Sequence, residues 1–409
     1  MKAQKIRNGV YCIHADIYAR TNRFEGLWIL PHGVSINSYI IKGEKTALID
    51  IVRDWDGSLK SYEEQLASIG LSFEKIDYLI LNHLEPDHCD IIDYVRFLNP
   101  EVAVISTSKG LAMVEKFFKV SGNLRAVKTG DSLDLGGGKV LQFYETPNVH
   151  WPETMMTYDP AEKVLFSCDA FGSYGTIGEK IFDDQHSEDE LHFYESEALR
   201  YYSNIVASFS TFVLKALEKL APLDIQCIAP SHGLIWRSDV KRIFSLYKRF
   251  AGYNTGCGGE KEISIIWGSM YGYTKKGLDA VIQGIESEGV PYTIHDIPDT
   301  DVSFILGDAY KAAGLVLAMP TYEYKMFPPM AYVLDLFERK HLTDKTVLRI
   351  GNWGWVGGAK KEYEQKTANL KWTQLEQYEW QGRALDADFR LLDEKGAELA
   401  RIIKAGKQN

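Results

Sequence analysis

Asn82-His83-Leu84-Glu85-Pro86-Asp87-His88-Cys89-Asp90 follows directly on the apolar run Tyr78-Leu-Ile-Leu81. The run reads as a buried strand. Four potential ligands, His83, Glu85, Asp87 and His88, fall within six residues of the loop that leaves it. A loop at a strand end can turn imidazole and carboxylate groups inward together, whereas a solvated surface has no reason to repeat histidine so closely. Working outward, three more candidates each lie just past an apolar run: His150 in Val149-His150-Trp151-Pro152, Asp169 in Ser167-Cys168-Asp169-Ala170, and His232 in Ala229-Pro230-Ser231-His232-Gly233. Singly, His150 reads equally well as packing on Trp151, Asp169 as a helix N-cap and His232 as a loop residue. Together the set supplies four His, two Asp and one Glu, enough for two neighbouring metals with a bridging carboxylate.

From about residue 10 to 230 the chain carries short β-branched runs at 46–50, 78–81, 102–105, 140–144, 164–166 and 225–228, which predict strands. Amphipathic spacing at 61–68 and 188–220 predicts helices between some of them. Residues 251–260 hold four glycines without an apolar period and read as a flexible joint. Beyond it, strands at 263–267, 292–297, 314–319, 346–350 and 374–380 alternate with helices at 274–288, 302–312, 330–340, 359–370 and 386–404. That alternation predicts a doubly wound parallel sheet. The expected organisation is therefore a first domain over 1–250, a linker over 251–260 and a second domain over 261–409.

Ligands of such sheets bind outside the carboxyl ends of the strands. After the first strand come Ser269, Met270, Tyr271, Gly272, Tyr273 and Thr274, leading straight into a helix. Hydroxyls and helix N-terminal N–H groups of this kind can hold a monophosphate without Lys or Arg, although an ordinary strand-to-helix turn looks similar. Pro320, Thr321, Tyr322 and Glu323 follow the third strand, and Asn352, Trp353, Gly354, Trp355 and Gly357 follow the fourth. Aromatic side chains there can flank a flat heterocycle, and these loops resemble the isoalloxazine-binding loops of flavodoxins. No Gly-x-Gly-x-x-Gly follows the first strand, which favours FMN over FAD or NAD.

Composition narrows the class. With Lys+Arg 46 against Asp+Glu 56 the formal charge is −10, and no basic stripe is present, so nucleic acid is not an expected partner. No apolar run reaches the ~18 residues of a membrane span, and the first residues carry Lys, Arg and Asp through their apolar positions, unlike a signal peptide. Cys12, Cys89, Cys168, Cys227 and Cys257 are scattered without a C-x-x-C pair. They read as core or loop residues of a reducing, cytoplasmic compartment. A thiolate iron–sulfur or rubredoxin-type site would need clustered cysteines, so any one-electron carrier is expected to be external.

The metal motifs resemble the metallo-β-lactamase superfamily, whose first block is normally His-x-His-x-Asp-His and whose fold is an αββα sandwich. Glu85 replaces the second histidine. An anionic oxygen donor there suits iron better than an all-nitrogen set suits it, and His-x-Glu-x-Asp-His is the flavodiiron version of the block. Val149-His150-Trp151-Pro152 and Phe166 to Gly172 are similar to that family's next two blocks. The resemblance implies an N-terminal αββα metallo-β-lactamase-like sandwich followed by a C-terminal flavodoxin-like doubly wound sheet. It further implies one iron on His83, Glu85 and His150, a second on Asp87, His88 and His232, and Asp169 between them. Relatives often carry a histidine where this chain has Glu25, with His32 close by in sequence.

By the same resemblance, FMN takes electrons from a carrier such as rubredoxin or reduced F420. It passes them to two non-haem irons that reduce dioxygen to water or nitric oxide to nitrous oxide, within a head-to-tail homodimer or a dimer of dimers. A two-metal hydrolase with an accessory flavodoxin domain is the alternative, and an electron-transfer flavoprotein with a structural metal is a third reading.

Overall fold

The computed structural model describes residues 1–18, 23–256 and 258–406. Cys257, one of the cysteines and part of the expected joint, lies outside them. The chain divides into two compact units, Met1–Tyr202 with Thr211–Lys248, and Ser203–Ser210 with Arg249–Asn409.

The first unit holds two sheets. Strands β1 (Gln4–Arg7), β2 (Val10–Ile17), β3 (Val34–Lys42), β4 (Thr46–Ile49), β5 (Tyr78–Ile80), β6 (Ala103–Ser106) and β7 (Leu124–Ala126) pair in chain order. Strands β8 (Ser132–Gly136), β9 (Lys139–Glu145), β10 (Met155–Asp159), β11 (Val164–Cys168) and β12 (Cys227–Pro230) form the other sheet, in the order β12-β11-β10-β9-β8. In β3 eight consecutive residues are buried, so its polar Ser35, Asn37 and Ser38 must find partners inside the protein. Ser38 Oγ meets the Tyr62 hydroxyl at 3.0 Å, Ser35 Oγ accepts from Gly233 N at 2.8 Å, and Asn37 reaches across the sandwich. Asn37 Nδ2 donates to Pro230 O at 3.0 Å and Gly233 O at 2.9 Å, and the Tyr39 hydroxyl donates to Pro230 O at 2.6 Å. Asn82, at the head of the metal loop, makes a second tie. Its Nδ2 donates to Phe166 O at 3.2 Å and its Oδ1 accepts from Thr157 Oγ1 at 2.7 Å.

The helical stretch expected over 188–220 is broken. Helix Glu188–Tyr201 gives way to a π turn, Tyr202–Val206, and a 3-10 turn, Ala207–Phe209, before helix Ser210–Leu220. The joint expected at 251–260 also differs: its first residues complete the helix Val240–Tyr253, and its last, Glu260, opens the next strand.

In the second unit, β13 (Glu260–Trp267), β14 (Tyr292–Asp296), β15 (Ala312–Ala318) and β18 (Thr346–Trp353) are parallel in the order β14-β13-β15-β18; the short hairpin β16 (Thr321–Tyr322) and β17 (Lys325–Met326) stands apart. The single strand expected at 374–380 arrives as two, β19 (Thr373–Gln374) and β20 (Tyr378–Gln381), both pairing with β18. This is the flavodoxin-like order, with the reversal between β13 and β15. Helices Tyr273–Ser287 and Asp386–Ala405 pack together over one face. Their backbones touch where side chains vanish. A Cβ on Gly284 would lie 1.9 Å from Asp393 O, and one on Gly396 would lie 2.1 Å from Val281 O.

Candidate functional site

Each of the seven sequence-flagged donors lies beyond the carboxyl end of a strand of the first unit, and the fold brings those ends together. His83 lies beyond β5, and Glu85 immediately precedes the short helix Pro86–Cys89, whose single turn carries Asp87 and His88. Asp169 follows β11 and His232 follows β12, which run side by side in parallel. His150 comes from the loop between β9 and β10.

Asp169 organises the cluster. Its Oδ2 lies 3.4 Å from His83 Nε2 and 3.2 Å from His150 Nε2, while its Oδ1 lies 3.0 Å from His88 Nε2 and 3.3 Å from His232 Nε2. Glu85 Oε2 completes the first side, 3.0 Å from His150 Nε2 and 3.4 Å from His83 Nε2. Asp87 Oδ2 completes the second, 3.3 Å from His232 Nε2 and 3.4 Å from His88 Nε2. Two donor groups result, His83, Glu85, His150 and Asp169 on one side, Asp87, His88 and His232 on the other.

Glu85 Oε2 lies within hydrogen-bond distance of His150 and His83, but the others point at common centres. Both oxygens of Asp87 and Asp169, and Nε2 of His88 and His232, are buried without a well-formed hydrogen bond. Left so, each would cost about 1–3 kcal/mol or more. Metal bonds of about 2.1 Å place neighbouring ligand atoms about 3.0 Å apart at right angles and about 3.4 Å apart at tetrahedral angles. The observed 3.0–3.4 Å spacings match that interval, so the donor set fits two cations.

Charge acts in the same direction. Burial disfavours the imidazolium form, yet Glu153, Glu85 and Asp169 hold His83 up at about 10. Against the same desolvation, Asp169 and Asp87 hold His232 at about 10, and neighbouring carboxylates hold His88 and His150 at about 9. Burial raises carboxyl pKa values, but the histidines overcome it, bringing Glu85 to about 2 and Asp169 well below the ordinary range. In Asp50 burial prevails, and its pKa rises to about 6. The site is built to hold positive charge.

Several supporting groups carried no signal in the sequence. Glu153 Oε1 lies 2.7 Å from His83 Nδ1 and accepts from Leu84 N at 3.1 Å; it stands three residues past His150, where a lone carboxylate looks like a solvated one. Ser35 O lies 2.8 Å from His232 Nδ1. One donor atom each of Asp50, His88 and Cys168 lie within 4.8 Å of one another, and Asp50 Oδ1 accepts from Asn82 N at 2.8 Å. Phe24, Trp151 and Tyr201 wall the histidines at ring distances of 5.1–5.5 Å. A cavity of about 700 Å³ lined by Arg23, Glu25, Arg53, Trp55, Glu85 and Asp87 reaches the cluster. Glu85 is its most open donor, 13% exposed.

The second unit presents the other set of candidates. Gly272 has φ 83 and starts the helix Tyr273–Ser287; its N–H donates to Ser269 Oγ at 2.9 Å. Thr274 is buried and its hydroxyl donates to Asn352 Oδ1 at 2.7 Å, while Asn352 Nδ2 donates to Gly382 O at 3.4 Å. Thr274 and Asn352 thus tie the start of the helix Tyr273–Ser287 to the end of β18, and the sequence does not single out Gly382. Thr321 Oγ1 accepts from Ala359 N at 3.3 Å, and Pro320 is buried. Around them the large side chains face solvent: Met270, Tyr271, Tyr273, Tyr322, Tyr324 and Trp355 are all exposed, Tyr271 at 85%. Exposed rings beside a helix start, at the carboxyl ends of β13, β15 and β18, fit a flat anionic ligand better than they fit bare solvent.

Comparison with known proteins agrees with both halves. The family described as ODP family beta lactamase matches residues 34–233. An anaerobic nitric oxide reductase flavorubredoxin of Pectobacterium atrosepticum is 32% identical over 378 residues, 90% of this chain and 71% of that protein. One from Vibrio vulnificus is 32% identical over 335 residues, 81% of this chain and 66% of that longer protein. The chain belongs to the flavodiiron protein family. Rubredoxin oxygen:oxidoreductase from Desulfovibrio gigas superposes with a TM-score of 0.90 at 26% identity, covering 99% of both chains. A flavoprotein from Thermotoga maritima superposes at 0.88 and 28% identity, covering 98% of each. In this flavodiiron chain Glu25 Oε2 accepts from Trp28 Nε1 at 2.8 Å. His32 packs edge-on to Phe193, ring centroids 5.1 Å apart.

Proposed function

We propose that the chain is a flavodiiron oxidoreductase that takes electrons from an external carrier through FMN to a non-haem diiron centre, which reduces dioxygen to water, nitric oxide to nitrous oxide, or both. The observation that carries the proposal is the division of Asp169, with one carboxylate oxygen turned to each donor group.

His83, Glu85 and His150 would hold one iron, Asp87, His88 and His232 the other, and Asp169 would span them. With neutral imidazoles the three carboxylates bring a formal −3 against the +4 of two divalent ions, so the protein offsets most of the charge with short, buried contacts. When bound, the two irons supply adjacent coordination positions and redox electrons for a diatomic gas. Glu153 and Ser35 O fix the rings of His83 and His232, which holds their Nε2 lone pairs on target. Phe24, Trp151 and Tyr201 keep bulk water from the buried side. Ser269, Gly272 and the first turn after it would hold the FMN phosphate, while Tyr322, Trp353 and Trp355 would flank its ring. Met270, Tyr271, Tyr273 and Glu323 with Gly354 and Gly357 would border it.

The hydrolase alternative is not favoured: Glu85 and the flavin loops both serve redox chemistry, and the structural relatives named above are oxidoreductases or flavoproteins. The donor is a rubredoxin-type protein or a reduced deazaflavin such as F420. The open cavity beside Glu85 and the exposed rings of the flavin loops support a head-to-tail homodimer or dimer of dimers, in which the FMN of one copy faces the metal centre of the next. Among the described residues no helix is long and apolar enough to cross a membrane, and four buried free cysteines accord with a reducing cytoplasm. The test is turnover with each gas and each donor, alongside metal analysis of the purified protein. Iron with gas consumption supports the proposal; zinc with no redox response overturns it.

A further inference from the structure

Arg349 is fully buried within β18, a rare position for a guanidinium. Its Nη1 lies 2.6 Å from Glu379 Oε1, and Glu379 stands opposite Gly351 in the ladder between β18 and β20. Residues 349 and 351 share a face of the strand, so the arginine passes over Gly351 to reach its partner. Any side chain there would interfere, since a Cβ on Gly351 would lie 2.1 Å from Met319 O and 3.2 Å from Arg349 Nη2. On the other side, Glu379 Oε2 lies 3.8 Å from the place a Cβ on Gly357 would take. Gly357 belongs to the loop 352–358 that borders the flavin site. Nε, Nη1 and Nη2 of Arg349 and Oε1 of Glu379 form no well-shaped hydrogen bond among the described residues, so the pair is held mainly by charge. Burial holds the guanidinium below its ordinary pKa.

A buried ion pair is a weak source of stability, because desolvation offsets most of its attraction. Arg349 is fully buried and Glu379 19% exposed, so water screens the guanidinium's effect on a neighbouring charge little and the carboxylate's more. We infer that Arg349 and Glu379 are positioning residues that set the electrostatic potential at the flavin loop 352–358 and so poise the flavin's reduction. The inference rests on FMN occupying those loops. Full reduction adds two electrons from the carrier, which is oxidised, and one proton from solvent, leaving an anionic ring; the guanidinium favours that state and the carboxylate opposes it.

The experiment is an anaerobic spectroelectrochemical titration of the full-length, FMN-loaded protein and its variants. Glu379→Gln leaves an unbalanced cation, and the ratio of reduced to oxidised flavin at a fixed potential rises about tenfold, about 30 mV for a two-electron couple. Arg349→Met leaves an unbalanced anion and lowers the ratio about tenfold. The double variant returns to within about threefold of wild type, and so does Arg349→Lys, which keeps the charge. Shifts of the same sign in both single variants would overturn the inference, as would no shift in Glu379→Gln at native flavin content. Should Arg349→Met fail to fold, Glu379→Gln and Arg349→Lys decide by themselves. A wild-type protein that binds no flavin would sink the FMN assignment instead, before any variant is compared.

Discussion

Glu153 and His83 meet behind the metal centre, with Oε1 2.7 Å from Nδ1. The carboxylate is itself buried and also accepts from Leu84 N, so the His83 ring is fixed in rotation and its Nε2 is left facing Glu85 and Asp169. Losing such a partner commonly weakens metal binding about 10–100-fold. Glu153→Gln keeps the shape and removes the charge. Competition against a chromophoric chelator should show a loss in that range with the fold intact, and an unchanged affinity would remove Glu153 from the site.

Asp169 and His88 are expected to differ in kind. Asp169 touches four histidines, two from each donor group, whereas His88 serves the second group alone. Asp169→Asn should therefore lose both irons and turnover together, and His88→Ala should keep the iron of the first group. Iron stoichiometry after desalting distinguishes them. Two irons in Asp169→Asn beside none in His88→Ala would reverse the assignment.

The gathering of these seven residues is legible in the sequence because histidine and carboxylate repeat just past apolar runs. Their partners are not. Glu153, Asp50 and Ser35 act through contacts with residues far along the chain, and nothing in their local sequence separates them from ordinary polar residues. The first three strands are hidden for a related reason: Ser35, Asn37 and Ser38 interrupt the apolar pattern of β3, and their burial becomes sensible only once Gly233 N donates to Ser35, Pro230 and Gly233 carbonyls accept from Asn37, and Tyr62 meets Ser38. Alternating strands and helices made the second sheet plain, while the break at Tyr202–Val206 preserves apolar spacing closely enough to pass for one continuous helix.

Metal loading should release protons. In the metal-free protein His83 and His232 titrate at about 10 and His88 and His150 at about 9, so at pH 7 all four carry the proton that a metal must displace. These values stand above the free-histidine value, so affinity should climb as pH rises and level off once pH passes that range. A pH indicator in weak buffer should record more than two protons released per protein at pH 7. Release near zero would show that the metal-free site holds neutral imidazoles.

Packing of the second unit offers a test independent of chemistry. Because a Cβ on Gly284 would lie 1.9 Å from Asp393 O, Gly284→Ala must push apart the helices Tyr273–Ser287 and Asp386–Ala405. Overpacking of this sort costs about 1–3 kcal/mol. Thermal unfolding followed by flavin release should move to lower temperature, while Gly289→Ala, at a site with open space but φ 68, should cost less. Equal effects would argue that the helix contact is loose.

The central claim is that electrons held on the flavin reach a gas through the seven-donor metal centre. Single-turnover mixing of the anaerobically reduced, iron-loaded protein with nitric oxide tests it most directly, with flavin oxidation and nitrous oxide followed together and a zinc-loaded sample as the reference. The iron form should oxidise its flavin rapidly and yield one nitrous oxide for each pair of electrons, and the zinc form should do neither. Equal flavin oxidation in both forms, or flavin oxidation in the iron form without nitrous oxide and, in a parallel run, without water from dioxygen, would contradict the account.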